Sequence, residues 1–128
     1  MRTIDKLVGA IKQTRVGGQL VFNNRNVFFG LQPEGREDDV KRGYSVVIDE
    51  RDEVREQVFG GNSILRNTEY WLEFRAASPR LLNEVEKIAL RQIRRTRRVS
   101  HHEIVDGPYA WDKKLEIYAR FVRLIMFR

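Results

Sequence analysis

The sequence contains no cysteine, which removes disulfides, thiol nucleophiles and zinc ribbons at once. Histidine is nearly absent too: the only two, His101 and His102, stand side by side. Adjacent residues point about 100° apart on a helix and to opposite faces on a strand, so with Glu103 they chelate poorly and read as polar loop residues. No stretch approaches the roughly 18 apolar residues of a membrane-spanning helix. The opening "MRTIDKLVGAIKQTR" is amphipathic and lacks the continuous apolar segment of a signal peptide. The four serines (Ser45, Ser63, Ser78, Ser100) have no nucleophile-elbow context, and Gly17-Gly18 and Gly60-Gly61 match no phosphate-loop spacing. These absences argue against an enzyme, a cofactor, a metal site and a membrane partner.

What the chain does have is charge, and arginine above all. Of 128 residues 33% are charged and 41% hydrophobic, a balance that suits one soluble domain with a modest core. There are 24 Lys+Arg against 18 Asp+Glu, a net charge of +6. Eighteen of those cations are arginine. Arginine makes rigid bidentate pairs with carboxylate and phosphate, so the excess points to interfaces more than to solubility.

Residues 3–15 have helical spacing, with Ile4, Leu7, Val8 and Ile11 on one face, Thr3 as the cap and Gly17-Gly18 as the stop. "QLVFNNRNVFFG" (19–30) reads as a tight hairpin, or as a strand entered through a turn. Residues 31–43 are polar and hold Pro33, Gly35 and Gly43, the composition of a projecting loop. "YSVVIDE" (44–50) resumes strand character, and 52–62 suggests a further strand ending at Gly60-Gly61. In "NTEYWLEFRAA" (67–77), Thr68, Tyr70, Leu72, Phe74 and Ala76 alternate with Glu69, Trp71, Glu73 and Arg75, as in a half-buried strand. Ser78-Pro79 then opens a helix, expected to run to about 97, with Leu81, Leu82, Val85, Ile88, Ala89 and Ile93 as its apolar stripe. Residues 99–113, with Gly107-Pro108, read as a second projecting loop. The tail from 114 to 128 alternates and then turns apolar on both faces, which suits a strand at a covered edge or interface. A buried helix is the competing reading there. Helix, strands, helix and returning strand predict a single α+β domain, mainly antiparallel, with two helices on one face of the sheet.

The densest feature is "RQIRRTRR" (91–98), five arginines in eight residues. With Lys87, these cations form like-charge pairs four apart, costing about 0.2–0.5 kcal/mol each on a helix. A helix C-terminus returns about 0.3–1 kcal/mol per cation in its last turn. The two effects nearly cancel, so three readings stay open: a solvated helix end, contact with acidic surface on another subunit, or contact with phosphate. The candidate interface residues are Arg91, Arg94, Arg95, Arg97 and Arg98, with Glu37, Asp38 and Asp39 as their acidic counterpart in another copy. That run and the second acidic one, "DERDE" (49–53), read first as solvated turns, and both could also be the acidic counterpart of the arginines in another copy. Trp71, Phe22, Phe28, Phe29 and Tyr70 interleave with Arg25 and Arg75, a pattern that on a sheet can also stack bases.

The whole layout can be set out in its own segments. A short helix leads to "VFFGLQP". A polar loop follows, then "YSVVIDE", then an extended span to "TEYWLEFRA". Next come the capped helix "SPRLLNEVEKIALRQIRR", an excursion, and the strand "EIYARFVRLIMF". In length and order this resembles the tail-terminator and tail-completion proteins of long-tailed bacteriophages. The resemblance spans nearly the whole chain and rests on layout, because that family has no catalytic motif. It implies a structural protein of the virion tail, assembled in the host cytoplasm. Such a protein forms a homohexameric ring that caps the tail tube and joins it to the head–tail connector proteins. DNA would pass through the lumen without sequence-specific contact. The alternative is a small basic nucleic-acid-binding α+β domain.

Overall fold

A computed structural model describes residues 2–30, 43–57, 64–112 and 117–127. The chain forms helix α1 (Thr3–Lys12) and a two-stranded ribbon of β1 (Arg15–Val16) and β2 (Gln19–Leu20). It then forms β3 (Val27–Phe29), β4 (Ser45–Gln57), β5 (Ile64–Ala76), helix α2 (Pro79–Arg94), β6 (Val99–Asp112) and β7 (Ile117–Phe127). The main sheet has the order β3-β4-β5-β7-β6, and among the described residues only the β3–β4 pair is parallel. Among the described residues the fold is therefore α+β, two helices on a mainly antiparallel sheet, as the sequence predicts.

Local chemistry sets the boundaries. Helix α1 starts at residue 3, as expected, but ends at Lys12 and is capped by Arg2 and not Thr3: the Arg2 backbone N–H donates to the Asp5 carboxylate at 3.3 Å. An arginine side chain carries only donors, so this is half of a capping box. Gly17 and Gly18 do not merely stop the helix. Their φ angles of 60° and 81° make the two-residue turn of the β1–β2 ribbon, the geometry that a right-handed strand twist prefers. The "NNRN" segment is a turn into β3, and β3 pairs with β4 rather than with β2. Asn26 stitches that turn by donating to the Val21 and Tyr44 carbonyls at 2.6 and 2.9 Å. For α2, the Ser78 hydroxyl accepts from the Leu81 N–H at 3.2 Å ahead of Pro79, as read from the sequence.

Two expectations need correction. Residues 99–112 are not a projecting loop but strand β6, paired along β7. Gly107-Pro108 falls within a register shift between Val105 and Ala110, where β6 carries extra residues. Proline has no N–H for a ladder and is tolerated in a sheet at an edge or a bulge, and β6 offers both. The tail is a strand, as read, but β7 lies inside the sheet between β5 and β6, not at an edge. The other expected loop, 31–43, lies outside the described residues except for Gly43.

The core forms between the helices and one sheet face. Leu7 and Ile11 of α1 and Leu82, Val85, Ala89 and Ile93 of α2 pack on Val46, Ile48, Leu72, Phe74, Val122 and Leu124. Phe22 meets Phe74 with ring centroids 6.3 Å apart. The face of β5 predicted to be buried, from Thr68 to Ala76, is indeed inside. The other sheet face holds a small cluster of Phe28, Val47 and Ile117. Beside it run the ion pairs Glu73–Arg75 and Glu69–Arg123 and the Arg51 guanidinium, 5.2 Å from the centre of the Trp71 ring.

Candidate assembly surfaces

The arginine run begins in a helix and ends outside it. Arg91 and Arg94 occupy the last turn of α2, which ends at Arg94, three residues short of the expected end, with Arg95 as its C-cap. Thr96 closes the turn through its hydroxyl, donating to the Ile93 carbonyl at 2.7 Å and accepting from the Arg98 N–H at 3.3 Å. The backbone then passes through Arg97 at φ 58°, a left-handed conformation that glycine adopts freely. A side chain at that position costs about 1–2 kcal/mol.

This geometry divides the run. Arg91, Arg94, Arg95 and Arg97 are exposed, while Arg98 is half-buried. Arg94 lies against the ring of His102 on β6, so the basic end of α2 sits beside that edge strand. Arg98 turns inward to a hollow of about 310 Å³ that it shares with Arg2, Glu50, Thr68 and Tyr70. Among the described residues Arg91, Arg95 and Arg97 have no carboxylate partner. Glu37, Asp38 and Asp39, their expected counterparts, lie outside the described residues.

Replacing Arg97 by glycine tests the backbone strain. The Arg97→Gly variant is expected to gain about 1 kcal/mol of stability, read as a higher denaturant midpoint at unchanged slope. An unchanged or lower midpoint removes the strain argument.

Sequence reasoning missed two features. One is a buried ionic cluster between α2 and β7. Arg120 donates to Glu86 Oε1 at 3.1 Å and to Asn83 Oδ1 at 2.7 Å. Glu86 is only 4% exposed, and its Oε2 has no partner. Burial raises the Glu86 pKa, and Arg120 only partly offsets it. The signal was present: Glu86 falls four residues from Leu82, squarely on the apolar stripe of α2.

The other is a groove of about 620 Å³ between α1 and the β3–β4 edge. Ile4, Val8, Ile48 and Phe29 line its apolar part, and Asp5 and Glu50 are the acidic residues beside them, with Arg2 and Lys12 also in the lining. The side chain of Phe29 is 58% exposed; it shares the helix-side face of β3 with Val27, while Phe28 points to the opposite face, into the cluster with Val47 and Ile117. Of the aromatics considered for base stacking, Phe22, Phe28 and Tyr70 are buried.

Among the described residues no group of three or more His, Asp or Glu side chains is placed to hold a metal ion. Nor is any of their helices long and apolar enough to cross a membrane. Compared with known proteins, the chain matches no family model and no curated sequence.

Proposed function

We propose that the chain is a structural, ring-forming component of a phage tail, of the tail-terminator type, which works by surface complementarity and not by chemistry. One observation carries this reading. Arg91, Arg94, Arg95 and Arg97 are held together on the solvent side of an edge, and one of them occupies a backbone position that disfavours any side chain. A cluster retained against local stability is most simply explained by a contact outside the chain. The α+β layout, helices on one face and long strands beneath, agrees with the resemblance in the sequence.

On this reading six copies close into a ring, which caps the tail-tube protein and meets the head–tail connector. The positive charge tolerates passing DNA through phosphate electrostatics, without reading bases. Size-exclusion chromatography with light scattering tests it: the expected result is a hexamer, or a monomer that assembles on added tail tubes. A monomer that ignores tubes yet binds RNA tightly at about 0.15 M salt, with affinity falling steeply as salt rises, overturns the ring and favours a nucleic-acid-binding domain.

A further inference from the structure

A ring closes through head-to-tail contacts, in which one patch of each copy meets a different patch of the next. Resting on the ring reading, we infer that the groove between α1 and the β3–β4 edge is the socket for the arginine-rich end of α2 from a neighbouring copy.

Position is the first argument. Among the described strands, β3 and β6 are the two edges of the main sheet. The groove opens at the β3 edge, through Phe29, and the exposed arginines stand at the β6 edge, through the Arg94–His102 contact. Two different patches on opposite edges are what a head-to-tail contact needs; two-fold pairing would use one edge twice.

Chemistry is the second. The groove combines an exposed aromatic ring with carboxylates, and arginine is the cation that uses both. Its planar guanidinium stacks on an aromatic face while its N–H fork grips a carboxylate. Phe29 supplies the ring. Of the acidic residues along β4 and α1 here, Asp49 is turned to the Trp71 face of the sheet and paired with Arg51 at 2.9 Å, and Asp5 accepts from the backbone of Arg2. Glu50 makes neither contact; it borders the hollow of Arg2 and Arg98 of its own chain and, being exposed, is the carboxylate open to an incoming arginine. Arg2 and Lys12 also line the groove; the Lys12 ammonium donates to Asn24 Oδ1, which holds it in place without neutralising its charge. A mostly exposed phenylalanine inside a concave, partly apolar surface is also the usual mark of an anchor point.

The test uses two full-length variants, each disabling one patch. Phe29→Asp together with Glu50→Arg spoils the socket; Arg94→Glu together with Arg95→Glu spoils the plug. Both sets of residues are exposed, so each variant is expected to keep the wild-type circular dichroism and melting temperature. Each alone is expected to be monomeric under conditions where the wild type assembles, with or without tail tubes. Mixed one to one, they retain one intact socket and one intact plug between them, so they are expected to form a dimer and stop there. A socket variant that assembles like the wild type overturns the inference while leaving the ring reading intact. So does a mixture in which no dimer forms. A wild type that never assembles, even on tubes, removes the ring reading and this inference with it.

Discussion

Reversing Arg94, Arg95 and Arg97 to glutamate is expected to abolish self-assembly and leave a folded monomer. All three side chains are exposed, and none is part of the core. Arginine anchors at interfaces typically contribute about 2 kcal/mol or more each. Removing three, and setting like charge against carboxylates, should weaken association by at least about a thousandfold. The change takes the net charge from +6 to 0, since 24 cations become 21 and 18 anions become 21. A loss of net charge can itself alter association, so a control is needed. Reversing Arg15, Arg25 and Arg80, also exposed, makes the same change in charge at other places. The expectation is that this control assembles normally by light scattering. Equal behaviour of the two triple variants would mean that charge, and not position, matters.

Arg120→Met is expected to cost about 3–5 kcal/mol at neutral pH, the largest effect on folding anticipated here. The substitution replaces a buried guanidinium with an apolar side chain, and the loss comes from what it leaves behind. Glu86 stays buried, with one oxygen already unpartnered and the other losing its donor. Asn83 loses its donor as well. The sign of the pH dependence follows from the raised Glu86 pKa. Burial disfavours the ionised form, so between 4.5 and the folded-state pKa the folded chain holds more protons than the unfolded chain. The Glu86 contribution therefore weakens stability as pH rises through that window and improves it as pH falls. In Arg120→Met the attraction that partly restrains the shift is gone, so the window widens upward and the variant recovers more stability on acidification than the wild type does. Glu86→Gln, whose amide cannot ionise, should flatten this part of the profile. Urea denaturation at a series of pH values reads all three, and a defect in Arg120→Met that stays constant with pH would show that Glu86 is not the source.

How much of this was legible depends on how local the cause was. The buried face of β5 could be read because β5 alternates cleanly, with Thr68 to Ala76 inside and the charged row outside. Ser78-Pro79 could be read because a cap and a proline act within one helical turn. The β6 strand could not, because Gly107-Pro108 signals a loop unless the segment is known to lie at an edge with a bulge. In β7 the odd positions, Ile117, Ala119 and Phe121, had the cleaner apolar look. The structure instead turns the even ones, including Arg120, toward α2. An internal strand is apolar on both faces, so its pattern cannot say which face the helices take.

By itself, then, the sequence determined the class of fold, the α2 cap, the inner face of β5 and the place of the arginine cluster. Each follows from spacing along a few turns of chain. Only the tertiary structure decided that Arg98 turns inward while its neighbours stay exposed. It also created the Glu86–Arg120 contact and set the groove and the arginines at opposite edges of one sheet. Those relations join residues far apart in the chain, 34 positions for Glu86 and Arg120, and strand order, which no local pattern encodes, is what brings them together or keeps them apart.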